Sequence, residues 1–464
     1  MWDITIVIGY LAVLIGIGLR GGGNVRNAAD FTAADKQYGT FVIFATLSAS
    51  FIGGGYSSGN AAAAYEHGIG TALTLFGFSL GMVLIGRYLV AGVSRFPNAK
   101  TVGGVMGEAY GAAARRISGV FSYLCCAGVV GAQMGSIGLV FHSLLGVSPR
   151  VGTLIGCGVV LLYTTFGGLQ SVIAADLLQF ALLAVGMPLV LVCSLDQAGG
   201  FAAIAQRLPA ELFSPFNHSS WTAFVSLFFS MMCGEALAPP YMQRLLIGKT
   251  PRQTARGTIF SGLFSAPFFL VTAGIGLVAR ALEITDDPAL AMPALISQVL
   301  PIGLRGAMMA AMVSIILSAA DGFLNGAAVS LVCDTVLPAH PHLSDDGQLR
   351  LLRTVNVCTG VGAMLLSFAV PQVFSVLLLA YSFWSPAVLV PLAAALLGIR
   401  SDGRVFRRAC VAGCLVCLLW NFAWGKPWGI DGCLPGILAN LSVFTIGTRR
   451  LHRYRCTRVD FSVQ

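Results

Sequence analysis

Apolar residues run along this chain in blocks long enough to cross a hydrocarbon layer, which takes about 20 residues of helix, and polar residues gather between them. The blocks fall at 4–19, 40–64, 71–90, 117–145, 151–166, 171–195, 221–246, 258–282, 306–332, 351–370, 373–397, 409–422 and 434–446. The pattern predicts thirteen transmembrane helices and an all-α polytopic membrane protein. The connections, the longest being 26 residues at 91–116, leave no room for a soluble catalytic domain. The first block lacks a basic flank before it and is read as a retained helix rather than a signal peptide.

Two blocks carry helix breakers. Gly53, Gly54 and Gly55 interrupt 40–64, and Gly234 followed by Pro239 and Pro240 interrupts 221–246. Each break opens a run of five blocks, so about 40–195 and 221–397 read as two structural repeats, which an odd helix count places in opposite orientations. Broken helices at matching repeat positions point to a solute site near the midplane. Residues 1–29 then form an extra helix and loop, 30–397 a ten-helix core, and 398–464 two further helices with a basic tail.

Composition agrees with a membrane protein: 56% of the 464 residues are hydrophobic, only 10% are charged, and the mean hydropathy is +0.82. The net charge of +9 follows the loops rather than forming a patch for nucleic acid. Of 28 Lys and Arg, 22 fall in alternate loops and the tail and 5 on the other side, with Arg87 at a helix end. The positive-inside rule sets the N-terminus outside and the C-terminus in the cytoplasm of a cell-membrane protein embedded in lipid. The 12 cysteines lie mostly within apolar blocks, and the Cys410, Cys414 and Cys417 face reads as packing rather than metal binding. No zinc, nucleophile or phosphate-loop motif is present, so neither an enzyme nor a cofactor is expected.

Three acids stand inside the apolar blocks: Asp176, Glu235 and Asp321. Each costs roughly 2.5 to 3.5 kcal/mol at the bilayer centre on insertion scales and so marks an ion or solute pathway. Ser314, Ser318, Asp321 and Asn325 recur at helical spacing and form one polar stripe. Hydroxyls and amides suffice for an interhelical seam, whereas Asp adds a charge that suits an ion or a proton. Asp176, close to Gly167 and Gly168, is expected to be partly reachable by water. Glu235 beside the second break can neutralise a cationic solute or carry a proton. Gln133 and Ser136 share a helix face, and Trp384 offers an aromatic surface to an organic cation.

Read together, these segments resemble the sodium:solute symporter family from about Asp30 to Leu397. LSASFIGGGYSSGNAAAAYEHGIG looks like its first broken core helix, with GGGY nearest the choline-transporter branch. GGLQSVIAADLLQF places Asp176 at the family's acidic position, and PPYMQRLL and LSAADGFLNGAAVSLVCD resemble two further motifs. The resemblance implies a leucine-transporter-type inverted repeat of five plus five helices and cation-coupled symport of a small organic solute by alternating access. It implies a Na+ site at carbonyls near Ile43 and Thr46 with the Ser318 hydroxyl, and Asp176 and Asp321 nearby. The second hydroxyl of the family's pair is Ala319 here, which leaves H+ open as the coupling ion. Ser50, Gly53, Tyr56, Gln133, Glu235 and Trp384 are the expected solute contacts. A membrane solute sensor is the rival reading.

Overall fold

The computed structural model describes residues 2–23, 25–32, 37–216, 220–369 and 373–459. Lys36, counted above among the loop charges, lies outside the described residues. The principal helices are α1 (Trp2–Gly22), α2 (Thr40–Phe51), α3 (Gly55–His67), α4 (Gly70–Arg95), α5 (Ala112–Leu145), α6 (Pro149–Ala198) and α7 (Trp221–Gly234). They continue with α8 (Pro239–Leu246), α9 (Pro251–Ala281), α10 (Leu304–Val336), α11 (Asp345–Ala369), α12 (Val373–Leu397), α13 (Gly403–Ala423) and α14 (Cys433–Val459).

Among the described residues, eight helices are long and apolar enough to span a membrane, or ten when each bent pair counts as one span. The sequence pattern counts higher partly because the windows 151–166 and 171–195 merge into α6, 50 residues long. That helix is broken at Gly168 (φ 59°, ψ −168°), a conformation open in practice only to glycine. A Cβ there would also stand 2.9 Å from the Phe31 backbone. Cys410, Cys414 and Cys417 carry free thiols on α13.

Helix α10 is the centre of the bundle: 94% of its apolar window is buried, against 28% for α1. Its run of Ala, Gly and Ser keeps its surface thin, so α5, α6, α1 and α11 all pack on it closely. The two breaks flank this helix. Helices α2 and α3 meet at 66° and α7 and α8 at 48°. In the first, a Cβ on Gly53 would come 2.6 Å from the Ala319 Cβ and 2.8 Å from the Gln133 amide, so only a bare backbone fits between α5 and α10. In the second, Leu237 takes a left-handed φ of 59°, and Pro239 and Pro240 restart the chain as the first turn of α8.

Replacing Gly168 by Ala should cost about 1–3 kcal/mol through the forced backbone alone. Gly158→Ala on the same helix, where a Cβ meets nothing within 4 Å, should be neutral. Thermal unfolding followed by gel filtration in detergent should show Gly168→Ala several degrees below both the parent and Gly158→Ala; equal melting of all three would refute the assigned break.

Candidate functional site

Asp176, on α6 just past the Gly168 break, is entirely buried, which corrects the expectation of water access. It is buried because its carboxylate is fully subscribed. Oδ1 accepts the Ser318 hydroxyl of α10 at 2.6 Å. Oδ2 accepts the hydroxyl of Thr46 on α2, that of Ser50 one turn on at 3.4 Å, and the Arg244 guanidinium of α8 at 3.2 Å.

Arg244 is itself wholly buried. Its Nη1 donates to the Pro240 carbonyl at 3.1 Å and its Nε lies 3.4 Å from the Thr46 hydroxyl. The guanidinium passes α10 at Gly322, where a Cβ would stand 3.1 Å from Nη2. Sequence reasoning counts this residue with the loop charge because α8 ends two residues later; the bend before α8 turns it inward instead.

The expected sodium residues therefore divide. Thr46, Asp176 and Ser318 meet in one hydrogen-bonded centre, and Ile43 lies fully buried one turn before Thr46, against the place where α9 carries Gly257. Asp321 is bonded differently although it lies in electrostatic range of Asp176 and Arg244: its Oδ2 accepts the Tyr163 hydroxyl of α6 at 2.6 Å and its Oδ1 has no partner among the described residues.

Four of the expected solute residues cluster at the breaks. The Gly54 amide donates to Gln133 Oε1 at 2.7 Å, placing Gln133 against Gly53. Glu235 accepts the Tyr56 hydroxyl at 2.6 Å and that of Tyr241, so the two broken helices are joined through one carboxylate. No salt bridge reaches Glu235 among the described residues. Ser50 faces the Asp176 centre instead. Trp384 is fully buried with its indole 3.4 Å from Ser122. Ser122 precedes Gln133 by 11 residues on α5, or about 16 Å at 1.5 Å per residue, so the indole lies away from the Gln133 end of the cluster, while the neighbouring Ser385 donates to the Gly234 carbonyl at 2.7 Å. Tyr381, one turn earlier, belongs to the second break: its Cβ and ring carbons stand 3.5–3.8 Å from where Gly234 would carry a side chain. Tyr241 escapes sequence reasoning because aromatic residues are common in membrane helices; its spacing six residues past Glu235 across the break was the only available signal, whereas Tyr381 is legible with Phe383 and Trp384 as an aromatic run before Pro386 that could face an organic cation.

Cavities lie on either side of this polar centre. One of about 480 Å³ is lined by Gly55, Asn60, Glu66, Thr71, Thr74 and Ser136, at the α3 end. One of about 880 Å³ is lined by Thr32, Lys100, Thr101, Glu108, Arg115 and Gln348, at the opposite end of the α2–α3 pair. Neither reaches Asp176, Glu235 or Asp321, which are at most 2% exposed.

The family model for sodium:solute symporters matches residues 31–404. The chain belongs to the sodium:solute symporter family. Membership makes it a sodium-coupled, multi-pass carrier of a small solute, and its relatives are transporters rather than enzymes. The chain is 25% identical to the sodium/pantothenate symporter of Escherichia coli over 96% of its own length and 95% of the relative's. It is 22% identical to the Drosophila melanogaster high-affinity choline transporter 1, over 82% of this chain and 63% of that one. Among solved structures, a Na+-coupled sialic acid symporter in a substrate-bound outward-open state superposes with a TM-score of 0.84 at 16% identity, covering 97% of both chains. That likeness shows the leucine-transporter-type fold within which the symporter's two breaks sit.

Removing one partner of a buried ion pair costs about 3–5 kcal/mol, because the other charge is left uncompensated. Asp176→Asn and Arg244→Gln should therefore each lower the melting temperature clearly, and the double variant should lose less than the two single losses combined. Strict additivity would show that the pair is not coupled.

Proposed function

We propose that this protein couples Na+ entry to symport of a small organic solute whose cationic or hydrogen-bond-donating group is received by Glu235. The observation that carries the substrate reading is a buried carboxylate held, among the described residues, by tyrosine hydroxyls and by no basic side chain, at the meeting of both helix breaks. Aromatic rings enclose the same point: Tyr56 lies 5.4 Å from Phe78 and 5.3 Å from Phe269, and Tyr241 5.7 Å from Phe323, centroid to centroid. Such faces suit an organic cation. The relatives' names span pantothenate, myo-inositol, glucose and choline, so the family leaves the charge of the solute to the individual site.

In this reading Gly53, Tyr56, Gln133 and Glu235 contact the solute, Trp384 stands behind the second break, and Ser50 links the solute to the ion centre. Sodium engages the α2–α10 interface at Ile43, Thr46 and Ser318, with Asp176 beside it, and favours one access state by binding it more tightly. The sealed centre between two opposed cavities supports alternating access. Residues 30–397 form the transport core with repeats about 40–195 and 221–397, flanked by 1–29 and 398–464, the N-terminus outside and the C-terminus cytoplasmic in the lipid bilayer of the cell membrane. Support for the repeats comes from broken pairs at matching positions.

Proteoliposomes given an inward Na+ gradient should accumulate a radiolabelled solute from a panel of organic cations, neutral polyols and carboxylates, and lose the accumulation when the gradient is collapsed. Accumulation under a proton gradient alone would replace Na+ with H+; no accumulation under either would favour a sensor. Glu235→Gln should raise the half-saturation concentration of a cationic solute by at least about tenfold, the loss of one desolvated charge contact. An unchanged value would remove Glu235 from the solute site.

A further inference from the structure

A further cavity lies away from the polar centre, on the outer face of the bundle. It is a slot of about 600 Å³ between α4, α7, α12 and α14, apolar along most of its length and without an acidic side chain in its lining. Its floor includes the buried Leu237 and Phe444, and its rim, with Leu84, Leu397 and Leu441, is exposed, so it opens on the face that meets lipid.

The slot has a polar end and an apolar end. At the polar end three helix ends converge: Arg95 of α4 donates to the Leu396 carbonyl of α12, and the Thr448 hydroxyl of α14 lies 2.9 Å from that of Ser401. Arg449 lines the slot there, and the exposed Arg87 and Arg400 each immediately precede a lining residue, Tyr88 and Ile399. None of these three arginines enters a salt bridge among the described residues. The apolar end abuts the second break. A Cβ on Gly81 would stand 2.7 Å from the Met232 carbonyl, and Ala236 and the left-handed Leu237 form the wall. Glu235 therefore has the solute cluster on one side of its backbone and this slot on the other.

Dimensions select the occupant. Ile437 to Arg449 spans 12 residues of α14, or about 18 Å at 1.5 Å per residue. One leaflet is about 15 Å deep, half of a 30 Å hydrocarbon core. Dividing the 600 Å³ by that length leaves a mean section of roughly 33 Å², too narrow for a helix 10–12 Å across with its side chains. A hydrocarbon chain fits, and burial of its methylenes holds it. Basic residues beside a gap between membrane helices attract acidic lipid head groups, whereas a neutral lipid leaves the arginines unanswered.

We propose that this slot holds an acyl chain of an anionic phospholipid, its phosphate drawn to Arg449 with Arg87 and Arg400 adding to the attraction, and its chain reaching the back of the second break. The orientation assigned above puts the lipid in the inner leaflet, where anionic lipid is concentrated. Binding itself does not depend on that orientation, or on which solute or ion is carried.

The test is native mass spectrometry of the full-length protein, titrated in detergent with palmitoyl-oleoyl phosphatidylglycerol or the matching phosphatidylcholine. The parent should retain one phosphatidylglycerol at least about threefold more tightly than phosphatidylcholine. Arg449→Gln should weaken phosphatidylglycerol about 3- to 10-fold, the loss of one basic contact at the membrane surface, and leave phosphatidylcholine unmoved. Arg450→Gln, the next residue and outside the lining, should change neither. Ala393→Phe, which adds a ring to the α12 wall of the slot, should abolish binding of both lipids. Arg449 is exposed, so its variant keeps the test valid if Ala393→Phe fails to fold. Equal affinity for the two head groups, equal loss in Arg449→Gln and Arg450→Gln, or binding that Ala393→Phe leaves intact overturns the site. A dimer that Ala393→Phe dissociates while phosphatidylglycerol stays bound would give the slot to a second copy of the chain and overturns it likewise.

Discussion

A guanidinium and a carboxylate, both fully buried here, hold the middle of this symporter together. Arg244 and Asp176 draw α8 to α6, and the hydroxyls that complete the carboxylate bring in α2 and α10. Such a pair tolerates no half measures, because each charge is affordable in the bilayer interior only in the other's presence. The local sequence serves it: the proline pair turns α8 inward, the Pro240 carbonyl receives a spare guanidinium hydrogen, and Gly322 leaves α10 bare where the side chain passes. Ion coupling has to work within that arrangement, which already supplies one fixed positive charge at the place where a dissolved cation is expected.

Much of this was legible in the sequence. Glycine triplets and proline pairs inside apolar windows place both breaks, and the cost of buried acids picks out the polar centres before any coordinates. The helical stripe on α10 correctly puts its four polar residues in the interior. The stripe does not show that its edges serve different neighbours. Ser318 and Asp321 differ by about 60° around the helix, and that is enough to send one hydroxyl to Asp176 and the other carboxylate to Tyr163. Arg244 was misread for a related reason: proximity to a loop along the chain says little about depth when a 48° bend lies between. Trp384 shows how little an aromatic residue near a break says about its neighbours: its indole meets Ser122, about three turns along α5 from Gln133.

The solute and ion centres share a helix pair but little chemistry. Glu235 is surrounded by tyrosine hydroxyls and ring faces, and Asp176 by a guanidinium and small hydroxyls. Only Ser50, one turn before Gly53 on the same strand of backbone, stands between them. Movement of the first break therefore has a short covalent route from one centre to the other, and the sealed polar layer between opposed cavities gives that movement something to open.

Ala319 and Gly53 draw one more consequence. The first break can lie against α10 only because neither residue brings more than a methyl group to the contact, and a second methyl would already be at 2.6 Å. Any side chain on Gly53 would have to displace either α10 or the Gln133 amide, so the position of the first break is set from the α10 side as firmly as by its own glycines.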